Sequence, residues 1–257
     1  MRVSYEGRLL RLTLDRPEKR NALDSVLCGA LVDAMKQGNR DPGVGAILLE
    51  GSGPMFCAGM DLDESLAPGA ADRTAIHGEM FSAGFWLHKP LVASIQGGAI
   101  AGGLGLVANA HFAVAAEDAR FSLPEINIGM WPFVIWKSLT DAMGERRALD
   151  LSLTGRTFSA HEALAWGLVH QLAPPAQLPA AASEIAAALA GRSPEVIRRG
   201  FALLQQSRMM NWTESIALAL RLRSDLFENP DFKEGVRAFR EKRPPRWPSL
   251  DGGTANP

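Results

Sequence analysis

Cysteine is scarce. The 257 residues hold two, Cys28 and Cys57, too few for a disulfide framework and suited to a reducing, cytoplasmic setting. Neither has a CxxC partner or a histidine at ligand spacing, so both are read as packing residues. The five histidines are scattered singly and no HExxH occurs, so no metal is expected. No GxxxxGK[ST] is present, which excludes a P-loop, and no GxSxG, which excludes a nucleophile elbow. With a net charge of −1, no field of one sign recruits nucleic acid or an anionic membrane. Basic residues are interspersed with acidic ones, except in the tail Arg237–Arg246. The N-terminal MRVSYEGRLLRLTLDRP is strand-like and charged, unlike a signal peptide.

Charge is also missing from one long stretch. No Asp, Glu, Lys or Arg occurs from Pro90 to Ala116, which is long enough to cross a bilayer. Yet the stretch starts at a proline and holds Gln96, Asn109, His111 and five glycines. It reads as buried strand, glycine turn, buried helix and buried strand, not as a membrane span.

What is present is ordinary for a soluble globular protein with a large core: 47% hydrophobic and 21% charged residues. Leu9–Asp15 alternates like a strand and ends at Arg16-Pro17. Asp24 is placed to cap a helix through about Gly38, with Leu27, Leu31, Ala34 and Met35 on one face. Ala46–Leu49 is a continuous apolar strand. The spacing of Ile76, Met80, Ala83 and Leu87 predicts a helix over 70–88. Strand Leu91–Ile95, a glycine turn, helix Gly102–Ala110 and strand Phe112–Ala116 follow. Phe133–Met143 and Glu145–Leu153 read as helices. Ser159-x-x-Glu162 is a capping box for a helix that Gly167 ends, and Val169–Leu172 reads as a strand. Four helical segments follow, near 177–190, 193–206, 213–227 and 230–242. The order predicts an α/β core over residues 1–192 and a C-terminal helical region over 193–257.

The centre of the chain is Ile95–Gly105, IQGGAIAGGLG, with five glycines in eleven residues. Such a run lets backbone approach closely and leaves N–H groups open at a helix start. A second glycine-rich loop, Cys57-Ala58-Gly59-Met60-Asp61, also follows a buried strand. Two N–H groups from separate loops can converge on one oxygen that becomes negative during a reaction. The bland alternative is two tight strand–helix turns. A dinucleotide fingerprint is a further alternative: Gly103-x-Gly105-x-x-Ala108 opens a helix, and Glu125 lies about twenty residues on. The spacing argues against it, because the fingerprint wants its turn directly after the strand.

Taken together, six pieces resemble the crotonase superfamily, also called the enoyl-CoA hydratase/isomerase family. They are DRPEKRNAL (15–23), FCAGMDL (56–62), IQGGAIAGG (95–103), FSLPEINIG (121–129), LTGRTFSAHEALAWGLV (153–169) and AFREKR (238–243). They occur in the family's order and nearly span the chain. The resemblance implies a spiral of strand–strand–helix turns with a helical tail used in assembly, as a homotrimer or a dimer of trimers. It implies a coenzyme A thioester as substrate and no separate cofactor. By position, the Met60 and Gly102 N–H groups form the oxyanion hole. Ala58, Met60 and Leu62 meet the adenine, Lys19 and Arg20 lie near the phosphates, and Phe239 and Lys242 reach coenzyme A. As a bland alternative, Lys19 and Arg20 are simply solvated.

The carboxylates depart from the family's hydratase pattern. Family hydratases carry two glutamates; the first falls here on Gly105, the second on Glu125. A glycine cannot transfer a proton. Moving a double bond needs one group, which takes a proton from C2 and returns it at C4, and a desolvated carboxylate suits that task. Isomerases of the family resemble this arrangement. Hydration by Glu125 alone is the alternative, and a non-catalytic acyl-CoA-binding protein is another. Structurally, Glu125 is otherwise an exposed acid at a helix start, and Asp61 is read as a helix cap. Among the aromatics Phe81, Phe85, Trp86, Trp131, Phe133 and Trp136, Trp131 beside Glu125 is the best candidate to line the acyl pocket.

Overall fold

Leu9, Leu10, Leu12 and Leu14 are buried, which makes strand β2 (Leu9–Leu14) an inner strand. Its outer neighbour β1 (Arg2–Glu6) is exposed along its length and pairs with it antiparallel. The helix α1 (Ser25–Arg40) begins where expected, with the Asp24 carboxylate accepting from Leu27 N–H. Next come β3 (Ala46–Gly51), α2 (Leu62–Ser65), α3 (Thr74–Met80), α4 (Ala83–Trp86), β4 (Leu91–Ile95), β5 (Gly98–Ile100), α5 (Gly102–Asn109), β6 (Phe112–Ala116) and β7 (Arg120–Ser122). They are followed by α6 (Trp136–Met143), α7 (Glu145–Thr154), β8 (Thr157–Ser159), α8 (Ala160–Ala165), β9 (Gln171–Ala173) and α9 (Leu178–Ala190). The computed structural model describes residues 1–250. It divides into two units, Met1–Ala190 and Gly191–Pro257.

The first unit holds a six-stranded sheet in the order β1-β2-β3-β4-β6-β9 and a three-stranded sheet in the order β5-β7-β8. From β2 to β9 the large sheet is parallel. Its inner strands β3 and β4 carry Ile47, Leu48, Leu49, Leu91, Val92 and Ile95, all buried, as a sheet covered on both faces requires. Helix α9 packs against β3, β4 and β6. The uncharged stretch is β4, β5, α5 and β6. Among the described residues no helix is long and apolar enough to cross a membrane. The second unit contains α10 (Pro194–Ser207), α11 (Trp212–Phe227) and α12 (Pro230–Glu241). Residues 251–257 of the expected helical region lie outside the described residues.

Four expectations need correction. The helix expected over 70–88 is broken: α3 stops at Met80, and α4 starts at Ala83. Gly84 there meets α5 so closely that an added Cβ would overlap the Asn109 carbonyl oxygen, and a continuous helix is not kept. Residues 133–135 form a 3-10 turn before α6. The last strand is Gln171–Ala173, because Leu168 and Val169 N–H both donate to Ala163 O and complete the turn after α8. The central glycine run is not all turn, since it contains β5, which pairs with β7.

Candidate active site

Glycines join the two loops. Cys57 and Ala99 form a bridge, with Ile100 N–H donating to Cys57 O at 3.0 Å. A Cβ on Gly103 would overlap the Cys57 carbonyl oxygen. Gly59 has φ +91°, and a Cβ there would lie 2.8 Å from Ile100 O and 3.3 Å from Gly102 N. The Met60 loop therefore rests directly on the start of α5.

Two N–H groups are left open there. Leu23 and Met60 are bridged, with Leu23 N–H donating to Gly59 O at 2.7 Å and Asp61 N–H donating to Leu23 O at 3.0 Å. Neighbouring strand residues alternate in direction, so the Met60 N–H turns away from Leu23. Gly102 opens α5, where no intrahelical acceptor exists. Among the described residues neither the Met60 nor the Gly102 N–H has an acceptor. Ala101, just before Gly102, has φ 51° and ψ −120°, a conformation rare for alanine and characteristic of sites that fix a backbone direction. Its N–H donates to Ser122 O at 3.0 Å, while its own carbonyl accepts from Leu104 and Gly105 N–H.

The bond to Ser122 brings the glutamate loop alongside. Pro124 starts a 3-10 turn over Pro124–Ile128, which Gly129 closes in the left-handed conformation. Glu125 is 7% exposed, so it is not a solvated acid at a helix start. Its Oε2 has no hydrogen-bond partner among the described residues. Burial pushes its carboxyl pKa above the ordinary value, and the backbone hydrogen bond at Glu125 opposes the shift.

The space beside Gly105 is filled. A Cβ on Gly105 would overlap Ile135 Cγ2 and lie 2.9 Å from Ile135 Cβ and 3.1 Å from Phe81 Cδ1. Phe81 also packs on Gly102, its Cζ 3.1 Å from where a Cβ would stand. Ile135 and Phe81 thus stand against Gly105; Phe81 is one of the aromatic candidates, whereas nothing in the sequence points to Ile135. Trp131 is half-buried and tilted against Trp136 at 5.5 Å between ring centroids.

The remaining candidates are more exposed. Lys19 pairs with Asp63 at 2.9 Å. Arg20 is exposed in the left-handed region with φ 52°, and its carbonyl accepts from Ala58 N–H at 3.0 Å. Leu62 is exposed in the first turn of α2. Asp61 caps α2, accepting from Asp63 and Glu64 N–H, and the Arg16 guanidinium holds its carboxyl below the usual range. Cys57 is fully buried, its thiol donating to Asn21 O. Phe239 and Lys242 lie in the second unit, Phe239 exposed on α12 and Lys242 just after it in the left-handed region.

The family profile described as enoyl-CoA hydratase/isomerase matches residues 5–250. Mevalonyl-coenzyme A hydratase sidH of Aspergillus fumigatus is 34% identical over 254 residues, covering 93% of this chain and 91% of that protein. Enoyl-CoA hydratase EchA19 of Mycobacterium tuberculosis is 32% identical over 252 residues, 95% of each. The crystal structure of an enoyl-CoA hydratase from Mycobacterium smegmatis superposes with a TM-score of 0.90 at 31% identity, over 95% of this chain and 97% of that one. Profile, relatives and fold agree over nearly the whole length, and the chain belongs to the enoyl-CoA hydratase/isomerase family, whose members act on coenzyme A thioesters.

Proposed function

We propose that this protein moves the double bond of a 3-enoyl-CoA into conjugation with the thioester. The observation that carries the reading is the pairing of a buried, unpartnered Glu125 carboxylate with an apolar wall at Gly105. The thioester oxygen accepts from Met60 and Gly102 N–H. The Glu125 carboxylate takes a proton from C2, and the C–H electron pair forms the enolate. The enolate then re-forms the carbonyl, the C2=C3 bond is made, and the former C3=C4 pair takes the proton from Glu125 at C4. Atoms and charge balance with one carboxyl group. Each oxyanion donor contributes about 10²–10³ in rate, and a carboxyl raised by burial is better matched to neutral pH as a base.

In this reading Ala58 and Leu62 meet the adenine. Lys19 and Arg20 face the phosphates, and the exposed, solvent-screened Lys19–Asp63 pair is readily exchanged for a phosphate contact. Trp131 borders the acyl chain. The names of the relatives favour a second reading, addition of water to a 2-enoyl-CoA with Glu125 as both base and acid.

Purified protein offered each ester, with Glu125→Gln as control, separates the two. Conjugation absorbance that grows from the 3-enoyl ester without mass gain, and is lost in the variant, is the expected result. Gain of one water by the 2-enoyl ester, with the 3-enoyl ester inert, would overturn it.

A further inference from the structure

Arg16 ties together the segments that meet behind Met60. Its backbone N–H donates to Asn21 Oδ1 at 2.9 Å, and Asn21 N–H returns a bond to Arg16 O at 2.9 Å. Its guanidinium donates to Ala22 O at 2.7 Å and to Asp61 Oδ2 at 3.0 Å, and pairs with Asp24 Oδ2 at 3.1 Å. Ala22 and Asp24 flank Leu23, and Asp61 follows Met60. Leu23 is the residue bridged to Met60, and the Asp61 N–H makes one of that bridge's two bonds. One planar fork therefore grips both strands of the bridge from which the Met60 N–H is aimed. A lysine ammonium, a single point charge on a flexible stem, does not reproduce the fork.

We propose that Arg16 is a positioning residue for the oxyanion hole: by clamping Ala22, Asp24 and Asp61 on the two sides of the Leu23–Met60 bridge, it keeps the Met60 N–H in register with that of Gly102. The proposal rests on the reading of these two groups as the oxyanion donors. Arg16 touches no reacting atom in this scheme. A second tie, Glu64 Oε2 accepting from Ser25 N–H at 2.7 Å and Glu64 Oε1 accepting from Ser25 Oγ at 2.5 Å, joins α1 to α2 independently. Loss of the fork is therefore expected to loosen the aim of the donor and leave the loop in place. Misplacement by about 1 Å can cost about 10² in rate.

The thioester carbonyl reports the hole directly. Hydrogen bonds to it lower the C=O stretch and shift the enoyl absorbance to longer wavelength. A 2-enoyl-CoA labelled with ¹³C at the thioester carbonyl is bound in the Glu125→Gln background, where proton transfer is blocked. Infrared and absorbance shifts are then compared with and without Arg16→Lys. The added substitution is expected to remove half or more of the shift while coenzyme A itself binds unchanged. In the otherwise native protein, Arg16→Lys is expected to lower kcat about 10–100-fold with KM within about threefold. Asp61→Asn, which keeps an acceptor for the α2 N–H groups, is expected to lose part of the shift and serves if Arg16→Lys does not fold. A full shift retained by folded Arg16→Lys, or by Asp61→Asn where that serves, overturns the role of Arg16 alone. No shift at all in the Glu125→Gln background overturns the oxyanion reading, and the role of Arg16 with it.

Discussion

Replacing Glu125 with glutamine removes a charge that the fold holds at a loss. The side chain is 7% exposed, Oε2 has no partner among the described residues, and burial raises the carboxyl pKa. A carboxyl whose folded pKa lies above its unfolded one binds its proton more tightly in the native state. Its favourable contribution is present below the unfolded pKa and is lost as pH rises through the folded pKa. Above that folded pKa the native state carries a poorly solvated carboxylate, and an unpaired buried acceptor costs about 1–3 kcal/mol, more when it is charged. Glutamine leaves a polar amide unpaired there but removes the charge, so only the excess cost of the charge, about 1–2 kcal/mol, should be recovered. For a chain of this length that is a rise in Tm of about 2–8 °C. Thermal unfolding of both forms across pH checks it. The gain should be largest at neutral pH and shrink toward pH 4, where Glu125 is protonated, and turnover should be abolished throughout. In the native enzyme, activity should fall as pH drops through the raised pKa, because the base form is consumed. A variant less stable than the parent at pH 7, or equally stabilised at both pH values, would refute the reasoning.

Three further outcomes follow from the same structure. Gly105→Glu alone should be destabilised by about 1–3 kcal/mol through overpacking against Ile135, and Ile135→Ala alone by about 2–5 kcal/mol through its cavity. The double variant should lose clearly less than the sum, measured by denaturant unfolding in a double-mutant cycle. In the second unit, Arg243 and the Arg246 N–H hold the Glu234 carboxyl at about 2. Its contribution is present above the ordinary glutamate value and lost as pH falls toward about 2, so Glu234→Gln should flatten the acid limb of stability against pH. Burial pushes both Cys28 and Cys57 thiols up to about 12, so a thiol reagent at pH 8 should label neither until denaturant is added.

Much of the fold was legible wherever periodicity or capping chemistry is local. Asp24 and the Leu27–Leu31–Met35 face locate α1, and both bonds of the Ser159–Glu162 capping box are made. The three-residue strands β5, β7 and β8 were not legible. They are too short to show alternation, and their partners are one another, far apart in sequence. The break between α3 and α4 was hidden because Ile76, Met80, Ala83 and Leu87 keep helical spacing across it, and the close approach of Gly84 in α4 to Asn109 is a contact between segments far apart in sequence. At the site, the ordered motifs pointed to Met60, Gly102 and Glu125. The burial of Glu125 has no local signal, since the next three residues, Ile126, Asn127 and Ile128, are exposed. Arg16 read as the end of a strand and as one residue of the 15–23 motif, with no role of its own, because its partners Ala22, Asp24 and Asp61 are assembled by the fold.

The sequence shows at Gly105 an acid that is missing; the structure shows what stands in its place. A glycine facing open space would leave room for a water, and a water held near the β-carbon is what hydration needs. Here Ile135 and Phe81 occupy that room. Both are buried and apolar and offer a water no hydrogen bond. Gly105 and Ile135 therefore act as one feature, an apolar wall where a second proton-transfer group would stand. That wall is the feature on which the proposed double-bond movement rests, whereas the relatives' names speak for hydration. It also fixes what a gain-of-function test must do. Gly105→Glu alone should bury a misplaced carboxylate and hydrate nothing. Only with Ile135→Ala does the new carboxylate gain the space that Ile135 holds, and the double variant should then add water to a 2-enoyl-CoA measurably faster than either single variant. Equal rates in all three would mean that the wall does not decide the reaction.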